Sequence, residues 1–96
     1  MNRHELMLRD CKRRFGEIQT FALVTALYAD AKSKSEKQKL IRTAAAVLSM
    51  SDVKMKELVE GFDNIFKSTT VRLHDGTPIL DGGEYVFKGF DDGGLQ

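Results

Sequence analysis

The 96-residue sequence contains a single cysteine, a single proline and no tryptophan. One thiol cannot form an internal disulfide, and reduced cysteines are typical of proteins inside the cell. The sequence also lacks an apolar run of the roughly 18 residues that a transmembrane helix needs. Charged residues follow Met1, where a signal peptide would place its apolar segment. We therefore expect a cytoplasmic protein without a membrane span.

Sequence motifs of catalytic, cofactor-binding and metal-binding sites are equally scarce. The sequence has no glycine-rich phosphate loop, no dinucleotide-binding fingerprint and no spacing of cysteines, histidines or acids that is typical of zinc or calcium sites. His4 and His74 lie far apart in the chain, and Cys11 falls among apolar residues, where a thiol usually packs rather than reacts. We predict that the protein is not an enzyme and has no catalytic residues, metal or cofactor.

What the sequence does contain is a long helical pattern. Residues 2–31 are interrupted by no proline and by one glycine, Gly16, which predicts a single amphipathic helix of roughly 45 Å. Gly16 would permit either a close helix contact or a slight kink. Apolar and small residues three and four positions apart form a stripe along this helix: Leu8, Cys11, Phe15, Ile18, Ala22, Thr25 and Ala29.

Two shorter helices and a β-rich segment follow. Capping boxes that begin at Ser33 or at Ser35 predict a second helix from about residue 35. Ser51 or Asp52 is predicted to cap a third helix that ends at about Lys67. The predicted buried face of the third helix consists of Met55, Leu58, Val59, Phe62, Ile65 and Phe66. From Thr69 onward apolar residues alternate, with glycine turns after Asp75 and Asp81, which predicts a β-hairpin or small meander.

These patterns predict one α+β domain, mainly α, spanning residues 1–96. It has a long N-terminal helix and two shorter helices within residues 2–67, followed by a C-terminal hairpin or meander at residues 69–88. Residues 89–96 are rich in glycine and aspartate, and we expect them to form a flexible tail.

The charge is unevenly distributed along the chain. Residues 1–50 carry ten basic and five acidic side chains, whereas residues 51–96 carry five basic and nine acidic ones. A basic cluster offers a possible surface for a protein partner or for nucleic-acid phosphates: Lys32, Lys34, Lys37, Lys39 and Arg42. The second and third helices resemble a helix-turn-helix in order, but residues 52–57 are mixed in charge and poor in side chains that read bases. Nucleic-acid binding independent of sequence is therefore the alternative function, and a solvated face is the simpler interpretation.

A small chain with a long helix and no chemical motif is typical of proteins that bind other proteins. We predict a cytoplasmic regulatory or adaptor protein, of the size common among accessory proteins of phages and mobile elements. The seven-residue repeat of the stripe also predicts a coiled-coil-like homodimer or higher homo-oligomer. The residues expected to form that contact are Leu8, Cys11, Phe15, Ile18 and Ala22. The alternative is that the C-terminal hairpin covers this end of the helix and keeps the protein monomeric.

Overall fold

A computed structural model describes residues 2–66 and 69–88, and it confirms the mainly α, α+β architecture. Three helices are followed by a three-stranded antiparallel sheet in the order β1-β2-β3. The helices are α1 (Arg3–Asp30), α2 (Lys34–Leu48) and α3 (Asp52–Phe66), and the strands are β1 (Thr70–Arg72), β2 (Pro78–Asp81) and β3 (Glu84–Tyr85). Helix α1 contacts both other helices and also strands β2 and β3, so it lies at the centre of the fold.

Each helix begins at a polar residue that accepts a hydrogen bond from a backbone N–H of the first turn. Asn2 accepts from the Glu5 amide at 2.8 Å, and Ser33 accepts from the Glu36 amide at 3.1 Å. Ser51 accepts from the Lys54 amide at 3.2 Å. These bonds satisfy donors that have no partner inside a helix. Of the predicted alternatives, Ser33 rather than Ser35 caps α2, and Ser51 rather than Asp52 caps α3.

Helix α1 is bent at Gly16, so of the two roles predicted for this glycine the structure shows the kink, and the helix does not run straight for roughly 45 Å. Gly16 has φ 88° and ψ 179°, so two helical arms, residues 3–15 and residues 17–30, meet there at an angle. A straight helix would separate Arg3 from Asp30 by about 40 Å, whereas the longest dimension of the molecule is 33 Å. The bend brings both ends of α1 within electrostatic reach of Tyr85 in β3.

The conformation of Gly16, rather than close packing, explains why a glycine stands there. Apart from its chain neighbours and adjacent helix backbone, no atom of the described residues lies within 4 Å of the place that a Cβ would occupy, so a close helix contact is not the reason. An L-residue rarely adopts this combination of angles, whereas glycine does so readily. The Thr20 hydroxyl donates to the Gly16 carbonyl at 2.8 Å, which satisfies an acceptor at the bend.

The C-terminal segment is a meander rather than a single hairpin. Thr70 pairs with Asp81, and Leu80 pairs with Tyr85, in two antiparallel ladders. The predicted glycine turns join the strands, and the Thr77 amide donates to the Asp75 carboxylate at 2.9 Å in the first of them. Hydrogen bonds from the Thr77 side chain and backbone hold the pKa of Asp75 below its ordinary value.

The core lies where the two arms of α1 meet α2, α3 and the inner face of the sheet. Its fully buried large side chains come from all of these elements: Leu8, Leu23, Val24, Leu40, Met55, Val59, Ile79 and Leu80. The interior of the described chain is therefore one continuous cluster.

Helix α3 is less deeply buried than its sequence predicts. Met55 and Val59 are fully buried, but Phe62 is 38% exposed and Ile65 is 59% exposed. The predicted apolar face is wider than the surface that α1 and α2 offer to α3, so only its central row enters the core. The outer row remains in solvent.

None of the helices in residues 2–66 has both the length and the apolar character needed to cross a bilayer. The predicted tail, residues 89–96, lies outside the described residues.

Candidate binding surfaces

The predicted basic cluster forms part of a cleft of about 490 Å³ between α2 and α3. Lys32, Lys34, Lys37 and Arg42 line this cleft, whereas Lys39 does not. The structure therefore brings four of the five predicted residues to one concavity. We call it the basic cleft, and its remaining lining residues are Tyr28, Ser33, Gln38, Ile41, Asp52, Val53, Lys56 and Glu60.

The end of α1 and the start of α2 build one end of the basic cleft. The Lys32 amide donates to the Glu36 carboxylate at 3.1 Å, which fixes the connection between these helices. The Lys37 ammonium lies 5.0 Å from the centre of the Tyr28 ring, within the range of a cation–π contact. The Tyr28 hydroxyl in turn donates to the Glu60 carboxylate of α3 at 3.1 Å. Tyr28 thus connects the two walls of the cleft.

Of the described residues, five with cationic and two with anionic side chains line the basic cleft. The Arg42 guanidinium lies 4.0 Å from the Asp52 carboxylate, at the limit of an ion pair, and both side chains are well exposed. Within residues 2–66 and 69–88, no carboxylate lies at ion-pair distance from the ammonium groups of Lys32, Lys34 or Lys56. The cleft therefore keeps an excess of positive charge. Burial, followed by the contact with Glu60, raises the pKa of Tyr28 above its ordinary value of 10.0.

A second surface is almost entirely apolar. A groove of about 310 Å³ lies between the second arm of α1 and α3, lined by Ile18, Phe21, Leu58, Phe62, Leu48, Met50 and Glu17. The Phe21 and Phe62 rings meet edge to face with their centres 5.2 Å apart. Ile65 lies on the same side of α3 as Leu58 and Phe62, because residues separated by three, four and seven positions share a helix face. We call Ile18, Phe21, Leu58, Phe62 and Ile65 the apolar face.

The residues predicted for self-association do not form one surface. Leu8 and Cys11 are fully buried in the core of their own chain, and Phe15 and Ala22 pack against that core. Ile18 lies beyond the bend and is 84% exposed. The predicted stripe assumes a constant helical phase, which Gly16 interrupts.

Several residues of these surfaces were not predicted to have a functional role. Lys56, Asp52 and Val53 complete the basic cleft from α3. The short connection at Ser49, Met50 and Ser51 already indicated that α2 and α3 are neighbours, and the spacing of Val53 and Lys56 places them on one side of α3. The sequence did not indicate which side of α3 faces α2.

Among the residues that the structure describes, no group of three or more histidine, cysteine, aspartate or glutamate side chains is placed to hold a metal ion. Cys11 is buried, and burial raises the pKa of its thiol despite a hydrogen bond with Thr20. A raised pKa lowers the fraction of the reactive thiolate, so the geometry of Cys11 is that of a packed residue.

Comparison of the chain with protein-family models, with curated proteins and with solved structures gives no match.

Proposed function

We propose that this chain is a small, cytoplasmic, non-enzymatic regulatory or adaptor protein that binds another protein through the apolar face. The observation that carries the proposal is the exposure of large apolar side chains beside a groove. Ile18 is 84% exposed, Ile65 is 59% exposed and Phe62 is 38% exposed. Contiguous apolar surface next to a groove is typical of sites where proteins bind one another.

The physical reason is the free energy gained when this surface leaves water. Burying one large aliphatic or aromatic side chain stabilises a complex by at most about 1.5–3 kcal/mol. Ile18 and Ile65 stand on different helices and so present two anchor points that a single partner can cover at once. Several such contacts, less the entropy lost on association, are enough for a specific complex.

The shape of the groove favours a helical segment of the partner. Two helices, α1 and α3, form its sides, and an amphipathic helix fits such a groove with apolar residues spaced three, four and seven apart. Among the residues that the structure describes, Glu17 is the one charged residue in the lining of the groove. A partner helix with a lysine or arginine beside its apolar face would complement that carboxylate.

The test is affinity capture from the native host, read by quantitative mass spectrometry, with the wild-type chain and an Ile18→Asp/Ile65→Asp variant. We expect a protein that the wild type enriches to be recovered at least about tenfold less with the variant, because two carboxylates would be buried in the complex. Both positions are exposed, so circular dichroism should show the same helical content in the two proteins.

Leu6→Asp is the matched control. Leu6 is 48% exposed on the first arm of α1 and does not line the groove. Recovery of the partner with Leu6→Asp should equal that with the wild type. If the Ile18→Asp/Ile65→Asp variant captures the same proteins in the same amounts, the apolar face is not the binding surface and the proposal is wrong.

A further inference from the structure

We infer that the basic cleft binds a small phosphorylated ligand, one that combines clustered negative charge with a body that has apolar surface, as nucleotides do. This inference is independent of protein binding at the apolar face, because the two surfaces have no lining residue in common within the described part of the chain. It rests on the charge, the size and the construction of the cleft.

The charge of the cleft selects an anion. Lys32, Lys34 and Lys56 reach it from the α1–α2 connection, from α2 and from α3, and no carboxylate of the described residues is at ion-pair distance from them. Cationic side chains from three elements thus line one cleft, and like charges that share a cleft are stabilised when an anion binds among them. A phosphate group accepts several charge-assisted hydrogen bonds at once, which makes it the natural counterpart of such a cluster.

The size of the cleft suits a small molecule. Its volume of about 490 Å³ lies within the range of roughly 300–1,000 Å³ found for ligand pockets. Tyr28, Ile41 and Val53 contribute apolar surface among the polar residues, and Val53 is 71% exposed. An aromatic or aliphatic body would cover Val53 while its phosphates meet the lysines.

Two contacts hold the cleft in shape without a ligand. Lys37 is held over the Tyr28 ring, and the Tyr28 hydroxyl is bonded to Glu60 of the opposite wall. A site that is already formed loses less entropy on binding than one that must be ordered. More of the free energy of the contacts with the ligand therefore contributes to the affinity.

The acidic residues of the cleft argue against a nucleic-acid strand as its occupant. Asp52 and Glu60 stand in the α3 wall among the cations. A continuous phosphate backbone that follows α3 would pass both carboxylates, whereas a compact ligand can bind the lysines and avoid them.

The experiment is a titration of the ¹⁵N-labelled chain with ATP and, separately, with inorganic tripolyphosphate, without divalent cations, followed by amide chemical shifts. We expect shifts to concentrate at residues 28–42 and 52–60, and ATP to bind more tightly than tripolyphosphate because only ATP has a body to cover Val53. Lys34→Gln and Lys56→Gln should each weaken ATP binding about five- to tenfold, since each removes a charge-assisted contact.

Matched controls exist on the same two helices. Lys39 on α2 and Lys54 on α3 are exposed lysines that do not line the cleft. Lys39→Gln and Lys54→Gln should change the affinity for ATP by less than about twofold, because distant exposed charges are screened by salt.

Four results would overturn the inference. The first is the absence of localised shifts at millimolar ATP, and the second is an equal loss of affinity in the control variants, which would indicate only diffuse attraction to the surface. The third is equal affinity for ATP and tripolyphosphate, which would exclude a recognised body. The fourth is tighter binding of a twelve-nucleotide single-stranded DNA than of ATP, which would assign the cleft to nucleic acid instead.

Discussion

Three weakly acidic side chains, Cys11, Tyr28 and Tyr85, have raised pKa values in the folded chain. Burial is the largest cause in each case, and the nearby Asp30 carboxylate adds to it at Tyr85, whose pKa rises to about 12 from an ordinary value of 10.0. A raised pKa in the folded state means that the unfolded chain loses its proton at a lower pH. The stabilisation is therefore complete below the unfolded pKa and is lost as the pH rises toward the folded pKa.

We predict that the free energy of unfolding falls between about pH 9 and pH 12, with Tyr85 responsible for on the order of 1–2 kcal/mol after allowance for its partial exposure. Urea denaturation at pH 8, 9.5 and 11 measures this fall. Tyr85→Phe removes one of the titrating groups and retains the ring, which packs 6.4 Å from the Phe87 ring, centre to centre. The variant should show a shallower fall, and an identical slope in both proteins would exclude Tyr85 as its cause.

At the level of elements, local signals in the sequence predicted most boundaries. Ser33 and Ser51 start helices because their hydroxyls accept bonds from orphan amides, and the glycines after Asp75 and Asp81 turn the chain between strands. Such signals involve residues close together in the sequence, so they predict boundaries without knowledge of the tertiary fold.

The bend in α1 shows why the sequence did not predict which residues share a surface. A period of 3.6 residues tells which side chains share a face only while the helix continues, and one residue with φ near +90° resets that phase. Glycine in a helical pattern is compatible with both continuation and bending, and the sequence pattern does not distinguish them; in the bent helix Leu8 and Cys11 belong to the core. The basic cleft was predicted only in part, for a related reason. Lys56 lines it because of the way α3 packs beside α2, and the sequence did not indicate that packing.

Replacing Gly16 with alanine should therefore destabilise the fold. The space for a Cβ exists, but the backbone angles do not suit an L-residue, so we expect Gly16→Ala to lower the free energy of unfolding by about 1–3 kcal/mol. Gly61→Ala is the matched control, because Gly61 lies within α3 with equally open space and no positive φ. That change should stabilise the protein by about 0.4–1 kcal/mol.

Chemical denaturation of the two alanine variants beside the wild type gives both values. Equal effects at Gly16 and Gly61 would mean that the bend is not a conformational requirement of position 16.

At the level of the whole molecule, the bend changes the form that self-association can take. Leu8 and Cys11 are occupied within their own chain, so two copies cannot meet through the predicted stripe while the fold is intact. The exposed member of that stripe, Ile18, belongs to the apolar face. We therefore propose that a homodimer, formed in the absence of another partner, uses the apolar face and so includes only Ile18 of the residues predicted for self-association.

Sedimentation equilibrium tests this proposal. A contact of this limited size predicts a weak monomer–dimer equilibrium, seen as a rise in average mass over roughly tens to hundreds of micromolar protein. Ile18→Asp should remain monomeric throughout, whereas Leu6→Asp should behave as the wild type. If the wild-type chain stays monomeric over the whole range, the homodimer proposal is wrong, and the apolar face would then bind only a different protein.

The burial of Cys11 has a consequence for how the motions of the molecule can be followed. Cys11 is fully buried in the first arm of α1, and Thr20 of the other arm is one of the groups that influence the pKa of its thiol, so the junction of the two arms encloses it. A thiol-specific reagent can react there only during moments when the arms separate or the whole chain unfolds. Because the sequence has no other cysteine, the rate at which the reagent modifies Cys11 measures how often that opening occurs. The measurement uses the unaltered protein, since no cysteine has to be introduced or removed.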